Sequence, residues 1–162
     1  MKILLVAPYF PKEGGGLEQY AFRIAETLSS KYNFTAICLS REKSREEING
    51  NIRIIRKKAD FVISNTPIKL SFLFDILKIF REEKFDLIWA HTPVPFAADM
   101  AAIASRIKKI PLVITYHTGK LVKGKLLLDI LVKIYEILER LTLGRAKKII
   151  FVRISKTQAR SN

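Results

Sequence analysis

Apolar residues along this 162-residue chain recur with two different periods, and the two alternate. Apolar runs of strand length, broken only at Thr35, Arg53 and Thr115, occupy residues 3–7, 34–39, 52–55, 61–63, 87–90, 112–116 and 149–152. A run that is apolar at nearly every position, rather than at every second one, is expected to belong to a strand covered on both faces. Between these runs the period lengthens to that of a helix. Residues 17–30 place Leu17, Tyr20, Ala21, Ile24, Ala25 and Leu28 on one stripe at i, i+3, i+4 spacing. A second helix is predicted from Thr66, a hydroxyl N-cap followed by Pro67 at the first helical position, to about residue 83. A third covers roughly 96–108 and a fourth 123–143, stopped by Gly144. Residues 41–50 (REKSREEING) read as an exposed loop ending in a turn at Asn49-Gly50. There is no internal repeat and no low-complexity segment.

Strands buried on both faces and separated by helices imply an α/β Rossmann-like three-layer sandwich with a mostly parallel sheet. In such sheets a ligand lies beyond the carboxyl ends of the strands, where the strand order reverses. With the run at 61–63 left aside, the expected order along the sheet is 3-2-1-4-5. The reversal then falls between the strands at residues 3 and 87. The loops leaving the strands there are residues 8–16 (PYFPKEGGG), 91–96 (HTPVPF) and 117–119 (HTG).

Both histidines of the chain, His91 and His117, fall in those loops. Gly14, Gly15 and Gly16 precede the first helix, where residues without a Cβ let backbone amides approach a ligand oxygen and the helix N-terminus favours an anion. A flexible surface turn explains the same triplet, and a capping or core-satisfying imidazole explains either histidine. The triplet is not a dinucleotide fingerprint, and no GK[ST] follows it as a P-loop requires. There is no Asp-x-Asp pair and no G-x-S-x-G, and basic-aromatic alternation of the RNA-recognition type is missing.

Ten Phe, five Tyr and one Trp give enough large apolar residues for a core and exclude disorder. The single cysteine, Cys38, excludes an internal disulfide, and with two histidines it cannot close a structural zinc site. No stretch approaches the roughly 18 apolar residues of a membrane span, and the opening run is too short for a signal-peptide core. The expected location is cytoplasmic. Enrichment in Lys, Glu, Arg and Ile with only two Gln is compatible with a thermophilic source. The net charge of +14 is unevenly placed. Residues 1–105 carry 15 basic and 12 acidic side chains, whereas residues 106–162 carry 14 and 3. Such a patch suits solubility, anionic lipid, a phosphate-bearing ligand or nucleic acid, and composition does not choose among them.

The opening KILLVAPYFPKEGGGLEQYAFRIAETLSSKYNFTAICLS, with the later DLIWAHTP and PLVITYHTG, resembles the N-terminal, acceptor-side domain of family 4 glycosyltransferases of the GT-B fold. The resemblance covers about residues 1–152, expected to form one domain. It implies transfer of a sugar from a nucleotide-diphosphate sugar to a lipid or saccharide acceptor with retention of configuration, as in carbohydrate biosynthesis, with neither metal nor other cofactor. By position, Gly15 and Gly16 would approach the donor phosphates or the sugar, and His117 would contact the sugar. Thr118 and Gly119 share that loop, and Glu18 and His91 match less firmly. The family also implies a second, C-terminal donor-binding domain, which 162 residues do not hold. Residues 153–162 then read as a tail or a truncated link, and the isolated chain is expected to be catalytically silent.

The segment 120–143 (KLVKGKLLLDILVKIYEILERLTL) has an apolar stripe at Leu127, Ile130, Leu131, Ile134, Leu138 and Leu141, with Leu128, Val132 and Tyr135 outside it. The stripe is expected to enter the core. The residues left over, beside Lys120, Lys123 and Lys125, suit the second domain or a peripheral contact with the inner, anionic face of a membrane. A non-catalytic module docking on anionic membrane or nucleic acid through the basic third is the alternative to the transferase reading, under which no nucleic acid partner is expected.

Overall fold

The computed structural model describes residues 1–11, 13–63, 65–92, 94–117 and 126–152, and of 126–134 the backbone course alone. The elements in chain order are β1 (Lys2–Ala7), α1 (Gly16–Leu28), β2 (Asn33–Ser40), β3 (Arg45–Asn49), β4 (Ile52–Lys58), β5 (Phe61–Ile63), β6 (Thr66–Ile68), α2 (Phe72–Glu82), β7 (Leu87–Thr92), α3 (Ala97–Lys108), β8 (Leu112–His117), α4 (Leu126–Arg145) and β9 (Lys148–Val152). The main sheet runs β3-β4-β2-β1-β7-β8-β9. Its strands are parallel except β3, which pairs antiparallel with β4 at one edge.

The apolar runs of β1, β2, β4, β7 and β8 exist because neighbouring residues of each strand serve opposite cores, whereas the runs at 61–63 and 149–152, expected to be covered on both faces, form the exposed ribbon strand β5 and the largely exposed edge strand β9. Leu4, Val6, Ile37 and Leu39 pack with Phe72 and Ile76 of α2 and the alanines of α3. Ile3, Leu5, Phe34, Ala36 and Cys38 turn to the other face, against Ala25, Phe22 and Leu28 of α1. The buried alanines Ala97, Ala98, Ala101 and Ala104 let α3 lie close on the sheet. The result is an α/β Rossmann-like sandwich, the architecture of one half of a GT-B fold, with the expected strand order and the reversal between β1 and β7.

Three local expectations are corrected. Residues 41–50 are not wholly loop, because Arg45–Asn49 form β3 and turn back through Gly50, at φ +57°, into β4. Thr66 and Pro67 do not start a helix. They lie in β6, paired with β5 in a separate two-stranded ribbon, and α2 begins at Phe72. A two-stranded ribbon has no central strand whose ladder a proline would interrupt. Gly144 does not stop α4, which continues to Arg145.

The inward face of α4 also differs from the expected stripe. Leu138 and Leu141 are exposed, whereas Tyr135, Glu139 and Thr142 are buried. The side chains of Leu127, Ile130, Leu131 and Ile134, and residues 118–125 and 153–162, lie outside the described residues. The polar face of α4 turns inward through a contact with α3, in which the Thr142 hydroxyl donates to Asp99 Oδ1 at 2.6 Å. Burial, and next the charge of Asp99, push the Glu139 carboxyl above its ordinary range. A carboxylic acid whose pKa is raised on folding favours the folded state while protonated and loses that advantage as pH rises through its titration. Glu139→Gln is therefore expected to raise the melting temperature at pH 7, by an increment that shrinks as pH falls through the glutamate range. A gain independent of pH would refute this. Among the described residues no helix is long and apolar enough to cross a membrane.

Candidate functional site

β1 lies between β2 and β7, and the chain leaves it through α1 on one face of the sheet while α2 and α3 lead to and from β7 on the other. The C-terminal ends of β1, β7 and β8 therefore open into one crevice. Two groups of residues meet there.

The first is the loop from Pro8 to Gly16, whose Lys12 lies outside the described residues. Gly14, at φ +97°, is in a backbone region that residues with a side chain rarely adopt. Gly15 is the N-cap of α1 and its amide donates to Glu18 Oε2 at 2.7 Å. The buried Glu18 side chain thus fills the loop and places a carboxylate at the helix N-terminus, where negative charge is stabilised. A Cβ on Gly14 would stand 2.7 Å from Glu18 Cγ, whereas one on Gly16 would meet nothing within 4 Å. Gly14→Ala is accordingly expected to lose about 1–3 kcal/mol of stability, read by urea unfolding, with Gly16→Ala nearly neutral. Equal behaviour of the two variants would show that Glu18 does not pack under Gly14.

This loop is anchored from below by residues that carry no motif. Arg56 of β4 is 1% exposed and donates from Nη1 to Phe10 O at 3.0 Å and from Nη2 to Pro11 O at 2.7 Å. Its Nε and Nη2 both donate to Glu47 Oε1 of β3, at 2.9 and 2.7 Å. Glu13 accepts from the Ser40 hydroxyl at 2.6 Å and from the Arg41 amide at 2.8 Å, tying the loop to the end of β2.

The second group is the histidine pair. His91 on β7 and His117 at the end of β8 are both buried, with His91 Nδ1 3.1 Å from His117 Nε2. Burial, and next the neighbouring His117, lower the His91 pKa to about 3, and burial lowers that of His117. The Trp89 ring lies 5.2 Å from that of His91, and its indole N–H donates to Thr115 Oγ1 at 2.8 Å. Tyr20, in α1 just beyond the glycines, sets its ring edge-on to both histidines, at 5.1 Å from His117 and 6.4 Å from His91. This contact joins the start of α1 to the pair. In sequence Tyr20 reads only as a member of an apolar stripe.

The turn after His91 stores strain. Phe96 has φ +80° and ψ −59°, and Ala97 N–H donates to Pro95 O at 3.2 Å, the γ-turn of the rare positive-φ kind. It is held by the Phe96 amide, which donates to Asp99 Oδ2 at 2.8 Å, and by stacking of Phe96 on Phe72 with ring centroids 6.2 Å apart.

Of the residues expected at a site, Gly14, Gly15, Gly16, His91 and His117 are brought to this edge, and Thr118 and Gly119 lie outside the described residues. Among the described residues, no group of three His, Cys, Asp or Glu side chains could hold a metal ion. No curated protein matches the chain. The model of the family described as Glycosyltransferase Family 4 matches residues 14–155, a span holding the last glycines of the first loop, both histidines and every strand after β1. With that match over most of its length, and with the sheet order and strand-end loops described above, the chain belongs to glycosyltransferase family 4.

Proposed function

We propose that residues 1–152 form the acceptor-side domain of a retaining glycosyltransferase that moves a sugar from a nucleotide-diphosphate sugar to a lipid or saccharide acceptor. The observation that carries this reading is the meeting of the α1 N-terminus with the His91–His117 pair, through Tyr20, at the point where the strand order reverses. A helix N-terminus lined by glycines is suited to phosphate oxygens. In this role a diphosphate oxygen takes the Gly15 amide from the Glu18 carboxylate, and His117 hydrogen-bonds the sugar. Donors fixed in advance beside the departing diphosphate lower the barrier without reorganising during the reaction. No metal or cofactor belongs to the proposal, and the nucleotide sugar is the co-substrate. A donor-side domain supplies nucleotide recognition, and the peripheral inner face of a membrane is where a lipid acceptor would be met.

The test joins the chain to a donor-side domain of the same family and measures sugar release and transfer over a panel of nucleotide-diphosphate sugars. Turnover that needs both halves supports the proposal. A joined protein that is folded in both halves, binds nucleotide sugar and neither hydrolyses nor transfers it overturns the proposal.

A further inference from the structure

The two ring nitrogens of His91 have different surroundings. Nδ1 faces His117 Nε2 at 3.1 Å, whereas Nε2 is enclosed and meets no hydrogen-bond partner among the described residues. A neutral imidazole carries one proton, so one nitrogen of each ring donates and the other accepts. Placing the His91 proton on Nε2 would enclose an N–H with no acceptor and forfeit its hydration outright. Placing it on Nδ1 puts the proton inside the 3.1 Å contact and leaves only a lone pair enclosed, the smaller loss. The doubly protonated ring is not available near neutral pH, because burial strongly disfavours the charged form.

We propose that His91 is a positioning residue whose Nδ1–H donates to Nε2 of His117, which fixes His117 as the Nδ1–H tautomer and closes its Nε2. The surroundings hold His91 in place for this. The Trp89 ring lies beside it, tilted by 32°, and is itself tied by its indole N–H to Thr115 on the neighbouring strand. Tyr20 closes the other approach, edge-on to both imidazoles. β7 and β8 are adjacent and pair His91 with Thr115, two residues before His117, so the pair spans one diagonal of the sheet. Two rigid strands fix its separation.

The consequence for chemistry rests on the sugar-transfer reading. With Nε2 occupied, His117 offers the sugar or the diphosphate a donor, Nδ1–H. It holds no free lone pair with which to take a proton. His117 then acts by electrostatic stabilisation, and base catalysis is not its part.

Long-range nitrogen–proton correlation spectra of the whole chain, labelled at histidine and recorded near pH 7, read the tautomers directly. The expected result is at least a tenfold excess of the Nδ1–H form of His117, about 1.4 kcal/mol. His91→Phe should release His117 toward the Nε2–H form, and His91→Asn, whose amide nitrogen can donate from near the place of Nδ1, should keep the Nδ1–H form. A His117 protonated on Nε2 in the unaltered chain overturns the proposal, as does a tautomer that does not change in His91→Phe. Should His91→Phe fail to fold, the unaltered chain and His91→Asn decide the matter alone. No transfer assay enters these spectra. A chain with the expected tautomer whose joined form is inert would therefore refute the functional reading and leave this one standing.

Discussion

Replacing Arg56 by Ala is expected to cost the domain roughly 2–4 kcal/mol, because it empties the space of a fully buried side chain and takes the donors from two backbone carbonyls, while its ion-pair partner Glu47 stays partly hydrated. Arg56 is among the largest fully buried side chains of the protein, and its guanidinium divides its donors between one carboxylate and two backbone carbonyls. Truncation leaves Phe10 O and Pro11 O without those donors and Glu47 with Arg45, at 3.4 Å, in place of its closer counter-charge. Arg56→Lys should recover part of the loss, since an ammonium keeps the charge but lacks the planar fork that reaches both carbonyls and the carboxylate. Glu47 supplies the pH signature. Burial works to raise its pKa, but the hydrogen bonds and charge of Arg56, with Arg45, hold it below the ordinary glutamate range. A carboxyl depressed in this way stabilises the fold above its unfolded pKa and loses that contribution as pH falls through its folded pKa. The difference between the unaltered chain and Arg56→Ala should therefore narrow at acid pH. Urea unfolding from pH 7 down to about 3 measures both effects. A loss below about 1 kcal/mol at pH 7, small against that expectation, would show that the guanidinium does not anchor the first loop.

The second large effect is expected at His117. In the chain joined to a donor-side domain, His117→Ala should reduce transfer by about 10²–10³-fold, the usual consequence of removing one fixed hydrogen-bond donor from a site where charge develops. The fall should appear in kcat, because such an interaction strengthens as the diphosphate departs. In the tautomer proposed above His117 is also the acceptor for His91, so the alanine variant leaves a buried donor unpaired and should lose about 1–3 kcal/mol of stability. Circular dichroism and urea unfolding separate the two losses, since a folded variant that no longer turns over has lost chemistry rather than structure. Unchanged kcat would remove His117 from the mechanism.

Most strands of the parallel sheet were legible in sequence because they are buried on both faces and so carry a nearly unbroken apolar run, as in residues 3–7 and 34–39, whereas β9 carries such a run at the sheet edge and is largely exposed. β3 was not legible. REEIN sits at the edge of the sheet, largely in solvent, and nothing in its composition reports the ladder it makes with β4. It matters all the same, because it brings Glu47 to Arg56. Thr66 and Pro67 carry a helix-start signature that any helix could use, and only the pairing of Val62 with Pro67 shows it to be unused. Periodicity could not set the rotation of α4 either. That helix is apolar over most of its circumference, and the face it buries is the one that meets Asp99, whose hydrogen bond from Thr142 spans 43 residues of chain.

The site divides in the same way. Its loops could be listed from the sequence, since they follow from where strands end and where the strand order reverses, and the glycine triplet fell at the end of the first, whereas both histidines, expected in loops, are residues of β7 and β8 near their C-terminal ends. The family was legible for that reason, as those loops carry its motifs. What only the tertiary structure decided is how these residues face one another. His91 and His117 are 26 positions apart, and it is the pairing of β7 with β8 that sets their rings at hydrogen-bond distance. Tyr20, Trp89 and Arg56 belong to the site through contacts alone, because their own sequence neighbourhoods read as core, strand and basic surface. By itself the sequence determined most of the segments that are buried, since hydrophobic period is a local property, though it did not tell the exposed β5 and β9 from the covered strands. Donors, acceptors and tautomers depend on partners far away in the chain, and those were fixed only when the sheet closed around them.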